Sequence, residues 1–265
     1  MRECRRQRIR VRTHTHAHAH TDAGQKRHSP VTGHSDTAVL DDPVGESLRG
    51  SHAHLARGLG HAVTYSRPFA TFSAVSPTAD AAEWADLAEL LGHGRVADMF
   101  SCPVLPPPEW EEVFTLEGRQ MVWPDGARPD HPRTAPGSDV VELGPEDVPE
   151  MLELVERTQP GPFRPRTHEL GTYLGIREKD TLVAMAGERL RPPGWTEISA
   201  VCTAPEARGR GHAARLVCAL AARVLDRRER PFLHVAEANT GALALYERLG
   251  FRTRAQVTFR GFRIP

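Results

Sequence analysis

Residues 208–213 read Arg-Gly-Arg-Gly-His-Ala, two glycines interleaved with cationic side chains. A β-type run, 195–202, leads into them. A run at 212–226 leads out, with Ala213, Leu216, Val217, Leu220, Ala221 and Val224 on one helical face. The first turn of a helix holds backbone N–H groups without intrahelical partners, at the positive end of the helix dipole. Glycines there let an anion come close to those groups. The spacing therefore suits a phosphate cradle, formed by Arg208, Gly209, Arg210, Gly211, His212 and Ala213. It is not a P-loop, because no Gly-Lys-Ser/Thr follows. It is not a dinucleotide fingerprint, because Ala214 stands where a third glycine would be. A purely structural helix start can carry the same residues, so the loop alone does not decide.

A second stretch does. Residues 239–251 read Asn-Thr-Gly-Ala-Leu-Ala-Leu-Tyr-Glu-Arg-Leu-Gly-Phe, a capped helix ending in Leu-Gly-Phe. The Arg-x-x-Gly-x-Ala loop and this helix, in that order and separated by a helix and a strand, resemble the GNAT superfamily of N-acetyltransferases. The resemblance covers about residues 139–265. It implies an α/β fold with a central, mostly antiparallel sheet flanked by helices. It also implies that acetyl-CoA, or another acyl-CoA, lies in an opening between two central strands. The backbone at Val201, Cys202 and Thr203 would bind the pantetheine arm, the loop the pyrophosphate, and Asn239 the cofactor arm. Tyr246 would stand near the sulfur. One residue departs from the pattern: Thr203 occupies a place that is often hydrophobic, so a bulged or shifted strand is expected.

Acyl transfer to an amine needs a proton acceptor for the amine, a donor for the oxyanion and an acid for the leaving thiolate. Tyr246 is the candidate acid, the alternative being a tyrosine packed on a helix face. Glu197 is the candidate base, the alternative being an exposed strand glutamate. Arg164, Arg166, His168 and Glu169 fall where such folds close over the acceptor, a small-molecule amine or a peptide amine. A non-catalytic acyl-CoA-binding regulatory module would keep the cradle and lose turnover.

The remaining elements must position these groups. A proline-rich break at 124–138 divides the chain into 38–134 and 139–265. The first part is expected to be an α/β half, GNAT-like but degenerate, without a glycine-rich helix start. It is expected to hold a helix at 43–57, strands at 62–66, 69–75, 95–100, 112–115 and 120–123, and a helix opened by an Asp80–Glu83 capping box. Its Trp84, Trp110, Trp123, His52, His54, His61 and His93 read as packing or surface groups. After the break come a strand at 140–143, a helix through Met151 and Val155, a hairpin turning at 178–180, and strands at 232–236 and 256–264.

Composition sets the outer bounds. Hydrophobic residues are 39% and charged residues 26% of the 265-residue chain, as in ordinary globular proteins. No apolar run approaches the roughly 20 residues of a membrane span. Residues 1–36 hold eight Lys/Arg against three Asp/Glu, which leaves the remainder mildly acidic and unlike a nucleic-acid surface. That tail, with His14, His16, His18 and His20, is expected to be disordered rather than a metal site. Cys4, Cys102, Cys202 and Cys218 lack C-x-x-C spacing, so neither a zinc site nor a disulfide framework is expected, and a cytoplasmic location is.

Overall fold

The computed structural model describes residues 37–129 and 140–265; the tail and most of the proline-rich break lie outside the described residues. Among the described residues a 3₁₀ turn, Ala38–Leu40, precedes α1 (Pro43–Arg49), which ends at Gly50, short of the expected helix at 43–57. A 3₁₀ turn, Ala53–Leu55, leads directly into β1 (Ala56–Leu59), so residues expected to be helical pair instead with β2 (Ala62–Tyr65). A two-residue β3 (Ser73–Ala74) completes this small sheet. The helix α2 (Ala81–Leu91) follows, and Asp80 caps it by accepting from Glu83 N at 3.0 Å. The Glu83 carboxylate does not return the bond. It accepts from the Ser76 amide and hydroxyl, so only half of the capping box forms.

Then come β4 (Val96–Phe100) and β5 (Glu111–Val122). The two strands expected at 112–115 and 120–123 are one, because β5 runs unbroken along the final strand. Beyond the break lie β6 (Val140–Leu143), α3 (Val148–Thr158), β7 (Tyr173–Glu178), β8 (Thr181–Glu188) and β9 (Trp195–Thr203). The last elements are α4 (His212–Asp226), β10 (Arg230–Ala236), α5 (Thr240–Leu249) and β11 (Arg252–Arg263).

Eight strands form one sheet in the order β4-β11-β5-β10-β9-β8-β7-β6, antiparallel throughout except for β9 and β10. The C-terminal strand β11 does not pair with β10. The place between them is filled by β5, from the first part of the chain. Gln120 of β5 is fully buried there. Its amide donates to Leu40 O at 2.8 Å, and its carbonyl accepts from Arg254 at 2.9 Å. The helices α3 and α4 pack on β8 and β9, and α4 reaches β10 as well. Leu216, Val217, Leu220, Ala221 and Val224 are fully buried against the sheet, as the helical spacing requires.

Trp84, Trp110 and Trp123 are all buried, the first two in edge-to-face contact at 5.4 Å, so they are packing groups. Cys202 and Cys218 are buried thiols. Among the described residues no helix is long and apolar enough to cross a membrane, and no cluster of His, Cys, Asp or Glu is suited to a metal.

Candidate active site

The central opening follows from the parallel pairing of strands β9 and β10. β10 pairs with β9 at Arg230–Trp195, Pro231–Thr196 and Phe232–Glu197, and no further. Past Glu197 the strands part, and a cavity of about 840 Å³ occupies the gap. Its walls include the ends of β9 and β10, the loop before α4, one side of α5 from Gly241 to Arg248, and residues 158–162 at and beyond the end of α3.

The β9 wall is bulged. Met185 pairs with Cys202 and Gly187 with Ser199, so Ala200 and Val201 together face a single residue of β8. Ala200 takes up the extra residue with φ +52°, a left-handed conformation that costs a non-glycine residue about 1 kcal/mol. Such a bulge interrupts the ladder along the stretch Val201, Cys202 and Thr203, all of which line the cavity. The irregularity expected from Thr203 is therefore present, two to three residues upstream.

At the mouth, Gly209 and Gly211 have φ +77° and +79°, and a Cβ on either would meet nothing within 4 Å. Glycine is required by backbone conformation, and the space before it is open. Gly211 is the N-cap of α4, with no side-chain cap. The first amide to donate back along the helix is that of Arg215, to Gly211 O at 3.1 Å. The amides of His212, Ala213 and Ala214 precede it and form the donor end of the helix. Arg208 lines the cavity, and its Nε donates to Thr203 O at 3.3 Å. Arg210 turns away, paired with Glu178 at 2.5 Å and donating to Glu206 O at 2.9 Å. His212 is buried. Its Nε2 lies 3.0 Å from Glu178, and its Nδ1 has no partner among the described residues.

Asn239 caps α5 by accepting from Ala242 N at 3.2 Å, and it lines the cavity. Tyr246, one helical face further on, is buried and also lines the cavity, with its ring edge-on to Phe251 at 6.0 Å. Among the described residues its hydroxyl has no hydrogen-bond partner. Burial, and secondarily the nearby Cys202 thiol, pushes the Tyr246 pKa well above the ordinary tyrosine value. The phenol therefore keeps its proton at every working pH.

Glu197 is not an exposed strand residue. It is fully buried, and both its oxygens are engaged. Arg189 donates to them at 2.7 and 2.8 Å, Leu190 N donates at 3.3 Å, and His234 Nδ1 lies 2.6 Å away. Burial alone would raise its pKa, but Arg189 and His234 outweigh it and hold the carboxyl down at about 2. Glu197 does not itself reach the cavity; Arg189 and His234 do. His234 was not anticipated from the sequence. Its ring is boxed by Phe100, Phe232 and Phe259, and its Nε2 is 3.2 Å from the Gln120 amide nitrogen. No local pattern in the sequence marks it, because its approach to Glu197 depends on how β9 and β10 pair. Arg166 and Glu169, by contrast, form an exposed ion pair, with Arg166 over Phe69, and neither lines the cavity.

The site is an open-mouthed cleft between parting parallel strands, with two positive-φ glycines at a helix start. Residues 173–260 match the FR47-like protein family. A GNAT-family structure from Novosphingobium aromaticivorans is 38% identical, over 86% of this chain and 99% of that one, with a TM-score of 0.76. A GCN5-related N-acetyltransferase from Kribbella flavida shares the fold at a TM-score of 0.59 and 14% identity, over 84% of this chain and 95% of that one. No curated protein matches the chain. The chain belongs to the GNAT family of N-acetyltransferases, whose reaction is acyl transfer from acyl-CoA.

Proposed function

We propose that this protein transfers an acetyl group from acetyl-CoA to a primary amine by direct attack of the amine on the thioester. The observation that carries this reading is the single cavity lined by Gly209 and Gly211, by the bulged stretch of β9 and by Tyr246. The cradle and Arg208 would hold the pyrophosphate, and Val201, Cys202, Thr203 and Asn239 would flank the pantetheine arm. Acetyl-CoA supplies an activated acyl carbon.

In the transfer, the amine nitrogen forms the new C–N bond as the C–S bond breaks. The amine proton leaves to water in the open cleft, since His234 is engaged by Glu197 at Nδ1 and by the Gln120 amide at Nε2. Tyr246 donates its hydroxyl proton toward the departing thiolate, in a dry site where such a bond is worth more than in water. Amine and thioester thus become amide and free thiol, and the proton lost by nitrogen balances the one gained by sulfur.

The first part of the chain, GNAT-like but degenerate in this reading, would hold no second co-substrate and would wall the acceptor side. The setting would be the cytoplasm. Calorimetric titration with acetyl-CoA, followed by thiol release with an amine panel, tests the whole reading. One molecule bound per chain and amine-dependent thiol release are expected. Binding without release would leave the chain a non-catalytic acyl-CoA-binding module.

A further inference from the structure

The acceptor end of the cavity is formed by residues from both parts of the chain. Phe100 of β4 and Phe259 of β11 stack at 4.5 Å with planes 15° apart, and Leu116 of β5 is the cross-strand partner of Phe259. All three line the cavity. Gly118, two residues along the same face, keeps the surface flat. A Cβ there would meet the Phe259 ring at 2.5 Å and Val235 O at 2.8 Å. Leu116 is 45% exposed, so it covers little of the core and presents its side chain to the opening.

The charges around this floor are as telling. Among the described residues that line the cavity, none is Asp or Glu. Glu117, the nearest carboxylate along β5, points to the opposite face of the strand and accepts from Thr258. The one cation at this end, Arg189, is gripped by Glu197 and lies 4.6 Å over the Phe100 ring. Its charge is already matched. Arg208, His212 and Arg248 line the cavity from the helix-start and α5 side.

We propose that the acceptor is a small primary amine carried on an uncharged apolar body, aromatic by preference, lying on the Phe100–Phe259–Leu116 floor. This rests on the acetyl-transfer reading above. A polyamine or aminoglycoside brings further ammonium groups, and each would lose its hydration against a wall without carboxylates. A carboxylate-bearing acceptor would find Arg189 already neutralised. A flat ring instead extends the existing stack, with its amine directed toward the parted strands.

The test uses the full chain with saturating acetyl-CoA and reads thiol release for 2-phenylethylamine, spermidine and an aminoglycoside. 2-Phenylethylamine should have a kcat/KM at least about tenfold above either polycation. Leu116→Glu should lower its kcat/KM about tenfold and raise that of spermidine, while Leu116→Ser lowers it less. Acetyl-CoA affinity and melting temperature should stay unchanged in both variants. Equal or better use of a polycation, or an unmoved preference in Leu116→Glu, would each overturn the acceptor assignment alone, whereas no turnover of any amine by a chain that binds acetyl-CoA would overturn the transfer reading as well. Failure to bind acetyl-CoA would overturn the acetyl-transfer reading with it.

Discussion

Arg189 holds Glu197 in a two-pronged grip, Nε to Oε2 at 2.8 Å and NH2 to Oε1 at 2.7 Å, with both side chains withdrawn from solvent. Breaking one side of such a pair leaves a buried charge uncompensated, which costs about 3–5 kcal/mol. Glu197→Gln should therefore lower the melting temperature by several degrees, whatever it does to turnover. The pair also sets acid stability. The folded carboxyl titrates near 2 against an ordinary 4.5, so its contribution is full above 4.5 and is lost as the pH falls toward 2. Melting curves of the wild type should drop through that window, and those of Glu197→Gln should drop less. Parallel curves would remove Glu197 as the source.

Gly211 supports a separable prediction. At φ +79° with open space in front, any side chain adds about 1 kcal/mol of backbone strain. Gly211→Ala measures that strain. Gly211→Asp adds a negative charge where a pyrophosphate would sit. Acetyl-CoA affinity should weaken by at least about 2 kcal/mol more in the aspartate variant than in the alanine variant, by calorimetry. Equal losses would mean that the loop does not hold an anion.

Gly118 tests the join between the two parts of the chain. Its absent side chain makes room for the Phe259 ring and for the close approach of β10 to β5. Gly118→Ala should destabilise by about 1–3 kcal/mol, the usual cost of overpacking, read from denaturant midpoints. Because Phe259 forms the floor, amine KM should rise more than acetyl-CoA KM. A neutral substitution would show that Phe259 has room to retreat.

What the sequence reveals and what it hides divide along one physical line. The glycine-rich start of α4, the Asn239 cap and the buried face of α4 are local patterns, set by glycine conformation, a single capping bond and helical period, and each of these elements stands where it was expected. The insertion of β5 between β10 and β11 is a pairing between residues more than a hundred positions apart, and no local pattern encodes it. Its consequences were hidden with it: Phe100 and Leu116 in the cavity wall, and Gln120 beside His234. The helix expected at 43–57 failed for the opposite reason. Its apolar spacing was adequate, but Gly50 stops the helix and the following residues find a strand partner. Glu197 was picked out by its place on the central strand, while its burial depends on Arg189 and His234 arriving from neighbouring strands.

Tyr246 carries the prediction closest to chemistry. Its ring is packed against Phe251, and the residue lines the cavity, with no hydrogen-bond partner for its hydroxyl among the described residues. Burial keeps the phenol protonated, so its role is to donate. Tyr246→Phe preserves the ring and its packing and removes only that donor. The melting temperature and acetyl-CoA affinity should be unchanged, because neither depends on the hydroxyl. Turnover should fall by roughly 10²-fold, the low end for loss of a general acid, with the loss in kcat rather than in acetyl-CoA KM. An acetyl thioester with a more acidic leaving thiol needs less protonation, so it should recover part of the lost rate in the variant and gain little in the wild type. Steady-state thiol release with the amine that the panel selects, and chemistry shown to be rate-limiting by single-turnover measurement, is the check. Wild-type kcat under those conditions would make Tyr246 a packing residue, and the thiolate would then take its proton from solvent.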